Sequence, residues 1–281
     1  MTYPHYIQPK SVGDIWKEFP QDRKIYFLAG GTDLFNYLRD GLVDAENSCF
    51  VDITLLKDAD LRFASLHRAV IDDRTVLDPK WQIVWKLVNR GAEGVNVRGT
   101  DLSFANLTAA DLTGADFGSA DLSAAILERA KMSRANLLQA QLRFAEWRGA
   151  EIDDSTRITG KNRLIWELVT SGGVGRDLRG RDFSSTSLAG AKLSEANLGR
   201  ANCVLAVLVA ADLQSCILTN ANLTQADLTA TKLQNANLAN ANLSSANLTQ
   251  ANLRGANLTN AILAGALFKT TTMPDGTVRN P

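Results

Sequence analysis

Residues able to perform nucleophilic, acid–base or metal chemistry are scarce in this sequence. The 281 residues include two histidines and three cysteines, which are His5, His67, Cys49, Cys203 and Cys216. A hydrolytic triad needs a positioned histidine, and a zinc site needs several His, Cys or carboxylate ligands. The cysteines are odd in number and show no C-x-x-C spacing. These counts argue against most hydrolases and zinc enzymes, and they predict reduced thiols in a cytoplasmic protein.

Two pairs of adjacent carboxylates are the next candidates for chemistry. Asp72-Asp73 and Asp153-Asp154 could serve as a general acid and base beside a substrate. Both pairs follow an isoleucine at matching places in the sequence, before a change in its pattern. We therefore expect solvated turn residues at both places and no catalytic pair.

A glycine turn near the N-terminus is the third candidate. The segment IYFLAGGTDLFNYLRDG at 25–41 predicts an apolar strand, a Gly30-Gly31 turn and a helix that begins at Thr32 or Asp33. Free N–H groups and the dipole of a helix N-terminus suit such a turn to phosphate binding. Whether this turn indicates a phosphate site depends on the elements around it.

Most of those elements are set by a period of five. From Ala105 the chain reads ANLTA, ADLTG, ADFGS, ADLSA, and such pentads resume from Ala191 to about residue 270. A large apolar residue fills every fifth place, and a small residue, usually alanine, precedes it by two. Residues two apart in an extended segment share one side, so both point inward and the Asp or Asn between them points outward. The polar residues that follow are typical of a bend.

This A(D/N)LXX pattern resembles the pentapeptide repeat family over about 59–278. The resemblance implies a mainly β fold, a right-handed quadrilateral β-helix with four pentads in each coil. Cys203 takes a central position and Cys216 an alanine position, so we expect both thiols to be buried and inert. Asparagines at the bends predict ladders of stacked side chains.

The pentads are interrupted twice, at 71–102 and 152–183, and the two segments align without gaps, with Ile71 matching Ile152. The first predicts a helix with Asp78 as N-cap, Pro79 at the first position and Gly91 at the end. Its inward residues are expected to be Trp81, Val84, Trp85 and Val88. The second predicts a helix with Thr159 as N-cap, Gly172 at the end, and Ile165, Trp166, Leu168 and Val169 inside.

The shared tryptophans, Trp85 and Trp166, together with Trp81, allow two interpretations of these helices. Each helix is a bracket that covers a coil end or a seam of the solenoid and protects a sheet edge. Alternatively, each helix presents an amphipathic face to a partner.

Residues 1–57 contain no pentads. The segments YIQPKSVGDIW at 6–16, LAGGTDLFNYLRDG at 28–41 and FVDIT at 50–54 resemble the start of the FAD-binding domain of the xanthine dehydrogenase and carbon monoxide dehydrogenase family. In that family the glycine loop wraps the FAD pyrophosphate, and the matching residues here are Ala29, Gly30, Gly31, Thr32, Asp33 and Leu34. After Thr54 the sequence departs from that domain, because its second glycine-rich segment and its substrate-facing lobe are absent. We therefore expect a small α/β lobe that caps the solenoid, with FAD binding as the alternative.

Charge narrows the choice of partner. Thirty Lys and Arg balance thirty Asp and Glu, which argues against nucleic acid as a partner because such binding rests on basic phosphate contacts. A subset of the pentapeptide repeat family mimics DNA with an acidic surface and protects gyrase. Residues 100–281 carry sixteen acidic and seventeen basic residues, so we expect neither DNA mimicry nor gyrase inhibition. No apolar run approaches the length of a membrane span.

The sequence thus predicts a non-catalytic scaffold or protein–protein interaction module in the cytoplasm. The alternative is an FAD-binding or flavoenzyme-associated protein. The coil end near Phe268 and Met273 is a candidate homodimer surface. The predicted parts are a lobe at 1–57, a pentad segment at 58–75, a bracket at 76–96, a solenoid block at 97–156, a bracket at 157–176 and a second solenoid block with its cap at 177–281.

Overall fold

The computed structural model describes residues 60–69, 71 and 75–280, together with three strands of the N-terminal segment. Those strands are β1 (His5–Ile7), β2 (Lys24–Leu28) and β3 (Ser48–Asp52), and they pair in parallel in the order β1-β3-β2. The predicted strand at 25–28 lies within β2. The predicted glycine turn and the helix after it lie outside the described residues.

From residue 96 to residue 272 the chain forms a stack of coils. Parallel bridges join outward residues of successive coils, such as Asn222 with Asn242 and Asp227 with Asn247. The two partners are four pentads apart in every described bridge except Asn136 with Arg157, so one coil holds four pentads. Backbone bonds flank these bridges, and Leu223 N donates to Asn242 O at 2.7 Å. These bonds between coils hold the stack together.

Each pentad closes with a β-turn. Leu223 O accepts a bond from Ala226 N at 3.0 Å, and Gln225 between them has a φ of 56°. A positive φ at the third residue is what a type II turn requires. The outward Asn222 stabilises the same turn because its Oδ1 accepts a bond from Thr224 N at 3.1 Å. The Asp or Asn of each pentad is therefore a turn residue as well as a surface residue.

Stacked asparagine pairs connect some coils. Asn257 Nδ2 donates to Asn237 Oδ1 at 3.2 Å, and Asn260 Nδ2 donates to Asn240 Oδ1 at 3.3 Å. The predicted ladders are thus present at these places as side-chain bonds between neighbouring coils.

The interior follows the predicted inward positions. Central residues such as Leu223 and Leu243 are fully buried, and so are the alanines that precede them. Cys203 and Cys216 are also buried, as predicted, and burial raises the pKa of both thiols to about 12. Thr231 at an alanine position satisfies its buried hydroxyl by donating to Leu208 O at 2.8 Å. This buried hydroxyl is thus satisfied by a backbone carbonyl.

Two helices, α1 (Pro79–Arg90) and α2 (Gly160–Thr170), lie within the interruptions. Thr159 caps α2 as predicted, because its side chain accepts a bond from Asn162 N at 3.3 Å. Asp78 precedes α1 but makes no side-chain cap bond, so only its position was predicted correctly. In the described part of the chain, neither helix is long and apolar enough to cross a bilayer.

The coils before and after each helix remain in direct contact on one side. Phe144 N donates to Ser185 O at 2.9 Å, and Phe63 N donates to Phe104 O at 2.8 Å. In each pair the partners are separated along the chain by one coil of four pentads plus the inserted segment. The chain therefore leaves the stack, forms a helix, and returns without breaking the contact between coils.

Helix α2 also fills the interior of the coil that follows it. Gly173 holds the first central position of that coil, and a Cβ there would lie 2.5 Å from Leu168 Cδ2 and 2.9 Å from Leu193 Cδ2. Leu168 is fully buried. Its side chain thus takes the space that a central side chain occupies elsewhere in the stack.

Beyond the last pentad, β4 (Thr271–Thr272) and β5 (Val278–Arg279) form an antiparallel hairpin. The predicted turn at 274–276 connects them. The Arg279 guanidinium lies 4.1 Å from the centre of the Phe268 ring. The hairpin therefore covers part of the last coil.

Replacing Leu168 by alanine should destabilise the protein because it leaves a cavity beside Gly173. We expect a loss of about 2–5 kcal/mol in the free energy of unfolding, measured by urea denaturation followed by circular dichroism. Val174→Ala is the control, since Val174 is 58% exposed and its truncation should change stability little. Equal stability of the Leu168→Ala variant and the wild type would contradict this role for α2.

Candidate interaction site

The predicted tryptophans lie on the side of each helix that faces the solenoid. Trp85 Nε1 donates to Ala69 O at 2.6 Å, and Trp166 Nε1 donates to Ala150 O at 2.7 Å. Both indoles are partly buried, and Trp81 is 6% exposed. Leu87, which the predicted helical spacing did not include, is buried too. The apolar faces of α1 and α2 are therefore packed against their own chain.

A polar clamp ties the start of each helix to the following coil. Lys80 Nζ donates to Asp101 Oδ1 and to Ser103 Oγ, both at 3.0 Å. At the corresponding place of the second interruption, Lys161 Nζ donates to Asp182 Oδ2 at 2.7 Å. The two interruptions thus share their contacts as well as their sequence.

The second clamp changes the ionisation of Asp182. Burial opposes the charged form, but hydrogen bonds from Lys161 and Ser184 outweigh it and lower the pKa of Asp182 to about 2. The carboxylate is therefore more favourable in the folded protein than in the unfolded chain.

Asp153, which belongs to the second predicted carboxylate pair, stabilises a turn. Its Oδ1 accepts bonds from Ser155 Oγ at 2.6 Å and Thr156 N at 3.1 Å, and the bond from Ser155 is the main cause of its lowered pKa. A carboxylate held in this way stabilises a bend, as the sequence predicted. Asp72 and Asp73 lie outside the described residues.

The remaining sequence candidates for chemistry are the glycine loop and His67. Ala29, Gly30, Gly31, Thr32, Asp33 and Leu34 lie outside the described residues. His67 is exposed, and its Nδ1 lies 3.2 Å from Val88 O. Across the described ranges, His, Cys, Asp and Glu form no cluster of three or more suited to a metal ion.

Exposed apolar residues at outward positions are a feature that the sequence analysis missed. Ile217, Ile262 and Leu267 are 40%, 51% and 60% exposed. Each bridges an asparagine of the preceding coil, for example Ile217 to Asn197, where the repeat favours Asp or Asn. The signal was available in the sequence, as pentads with an apolar residue before the central one. Their bridges place Ile217, Ile262 and Leu267 in three separate columns, so they are three candidate interaction positions on the outer surface.

Comparison with known families decides the class of the chain. The model of the pentapeptide repeats matches in eight copies, at residues 93–129, 120–155, 177–204, 206–244 and 236–273, which together exceed half of the chain. The chain belongs to the pentapeptide repeat family. Membership implies a right-handed β-helix solenoid, in agreement with the stacked coils, and no enzyme family is indicated. A comparison with curated proteins found none that matches.

Solved structures of pentapeptide repeat proteins resemble the chain. A thylakoid lumen protein of Arabidopsis thaliana is 34% identical over 34% of this chain and 68% of its own length, with a TM-score of 0.34. HetL of the cyanobacterium Nostoc sp. strain PCC 7120, involved in heterocyst differentiation regulation, is 31% identical over 66% of this chain and 83% of its own, with a TM-score of 0.21. QnrB1, a plasmid-mediated fluoroquinolone resistance protein, is 20% identical over 61% and 78%, with a TM-score of 0.31.

Stability should fall as the pH drops from about 4 to about 2, because Asp182 must then be protonated against its clamp. The folded-state pKa of about 2 lies below the ordinary value of 3.8, so the contribution is complete above pH 4 and disappears toward pH 2. In Asp182→Asn the drop in melting temperature over this range should be smaller, as followed by circular dichroism. Asp154→Asn, which removes an exposed carboxylate, is the control. An identical drop in wild type and Asp182→Asn would contradict the clamp.

Proposed function

We propose that this protein is a non-catalytic scaffold that binds a protein partner through the outer faces of its solenoid. The observation that carries the proposal is the exposure of Ile217, Ile262 and Leu267 at outward positions. Apolar side chains there add nothing to the buried core, whereas contact with a partner would remove them from water.

The solenoid suits this function because the contacts that maintain its fold depend mainly on groups other than its exposed side chains. Backbone bonds between coils and the inward Ala and Leu residues maintain the stack. Several outward columns can therefore carry residues chosen for binding. We further propose a quadrilateral cross-section, with α1 and α2 as brackets and the N-terminal lobe as a cap.

The test begins with capture of a partner from the native cytoplasm by the immobilised full chain. The captured protein is identified and purified, and its binding to the full chain is then reconstituted and measured. Ile217→Asn, Ile262→Asn and Leu267→Asn, made singly, restore the residue type that is common at these positions. We expect at least one of them to weaken binding about tenfold, which corresponds to about 1.4 kcal/mol, without changing the melting temperature. The double variant Ser215→Ala with Ser245→Ala alters exposed residues of the same block and is the control. Full binding by all three single variants would refute the outer faces as the site.

The last coil supports a homodimer as a second mode of association. Leu258 and Leu263 are central residues, yet they are only partly buried, because no described coil lies above them. A second copy would cover these side chains as well as Ile262 and Leu267. Light scattering should show a dimer that Leu267→Asn weakens, and a monomer at all concentrations would exclude this mode.

FAD binding by residues 29–34 remains the alternative proposal and rests on the sequence resemblance. It predicts visible flavin absorption of the purified protein after addition of FAD, lost in Gly30→Asp. A spectrum without bound flavin would exclude it. The cytoplasm remains the expected compartment.

A further inference from the structure

The two interruptions and the coils that follow them are repeats of each other. Each repeat has a depression at the corresponding place, and both depressions lie on one face of the solenoid. Arg98 lines the first, with Asn136 among its neighbours. Arg179 lines the second, with Ile217 in the place that corresponds to Asn136. The outward columns beneath them correspond as well, since the bridged residues Asn96, Asp116 and Asn136 match Asp177, Asn197 and Ile217.

Beside the first depression, an internal ion pair covers a glycine. Arg98 Nη1 lies 3.4 Å from Asp116 Oδ1. A Cβ on Gly118 would collide with the same guanidinium. In this position the Arg98 guanidinium occupies the space that a side chain at residue 118 would take.

The second depression has the same glycine but lacks this ion pair. Asn197 stands where the first copy has Asp116, and Arg179 turns back to Asp177, with Nη2 2.6 Å from Oδ2. The nearest atoms to a Cβ on Gly199 are Asn197 Oδ1 at 3.1 Å and Thr219 Oγ1 at 3.4 Å, and no guanidinium is among them. Gly199 is therefore covered by Asn197 and Thr219 and by no arginine. The depression beside it has a volume of about 520 Å³, against about 390 Å³ for the first.

At two further positions, the second copy has residues that give its depression a basic wall and an apolar wall. Arg200 stands where the first copy has Ser119, and its side chain has no ion-pair partner in the described part of the chain. Ile217, 40% exposed, stands where the first copy has Asn136. The surrounding charge agrees, because residues 157–200 carry eight basic and four acidic residues. The site therefore favours a negative group beside an apolar one.

We propose that the depression formed by Arg179, Gly199, Arg200, Ile217 and Thr219 binds an acidic segment of the partner protein. An Asp or Glu side chain of that segment enters the depression between Arg200 and Thr219 and accepts hydrogen bonds from both. An adjacent apolar side chain packs on Ile217. The bound carboxylate restores from outside the negative group that Asp116 supplies in the first copy. This inference rests on the proposed function and specifies the chemistry of the partner.

The probes are two short fluorescein-labelled peptides of glycine and serine with a central Leu-Glu-Glu or Leu-Gln-Gln. Fluorescence anisotropy with the full chain should show binding of the Glu peptide alone, weakened by added salt. Arg200→Ser, which restores the residue of the first copy, and Gly199→Ala, which fills the floor, should each weaken binding about tenfold because a charge-assisted contact is lost. Gly199 is not at a positive φ, so the alanine variant keeps the backbone.

Arg129→Ser is the matched control. Arg129 is exposed and occupies the same turn position as Arg200, with φ of 55° against 59°. Its replacement removes the same charge from another pentad and should leave binding unchanged. Equal binding of the two peptides, no binding of either, or an equal loss in Arg129→Ser would overturn the proposal. Displacement of the Glu peptide by an equal concentration of inorganic phosphate would also overturn it, since a general anion site would then explain the binding.

The full partner separates this proposal from the proposed function. A captured protein that binds Arg200→Ser and Gly199→Ala as well as the wild type, but loses affinity for Ile262→Asn or Leu267→Asn, overturns the depression as the docking site and leaves the scaffold function standing. A purified partner that none of the surface variants affects overturns both.

Discussion

The backbone hydrogen bonds between coils are the constraint on which the rest of this structure depends. Through most of the stack they join outward residues that are four pentads apart, so a coil cannot gain or lose a residue without shifting every later pair. Turns at a positive φ, outward Asn or Asp at the turn, and small inward residues all follow from the need to return the chain after every fourth pentad. Among the bridges in the described part of the chain, the one of different spacing joins Asn136 to Arg157, which lies within the second interruption.

The interruptions show how the chain adds a helix while it keeps the hydrogen bonds between coils. The inserted segment leaves the stack as a unit, and the contact from Phe144 to Ser185 is kept. The helix also contributes to the interior of the stack, because Leu168 occupies the space beside Gly173, where the coil has no central side chain. Helix and coil are therefore one packing unit, which explains why the two copies share the same lysine clamp and the same tryptophan bond.

The sequence predicted much of this architecture because the pentad is a local signal. The inward positions, the two helices and the Thr159 cap follow from residue types within a few positions of one another. The pairing of every fourth pentad came from the family resemblance, since a period of five does not state how many pentads make a coil. Leu168 was correctly predicted on the inward face of α2. Its position beside Gly173 depends on how the helix lies against the coil, and no spacing within the helix contains that information. Asp78 had the expected residue type but makes no side-chain cap bond.

The candidate site was harder to predict because it consists of departures from the pattern. Ile217 is apolar where the pentad favours Asp or Asn, which the sequence does show, and its bridge to Asn197 identifies the column to which it belongs. The difference between Asp116 and Asn197 likewise has meaning only because Arg98 crosses Gly118 in one copy. Comparison of the two copies in three dimensions was therefore necessary.

The contact that persists beside α2 shows how the solenoid accommodates added sequence. On one side, Phe144 meets Ser185 directly across the inserted segment. On another, Leu137 N bonds to Arg157 O before the helix begins, and Leu178 N bonds to Asn197 O after it ends. A helix of 11 residues is thus inserted without ending the solenoid, because pairing between coils is present on both sides of it.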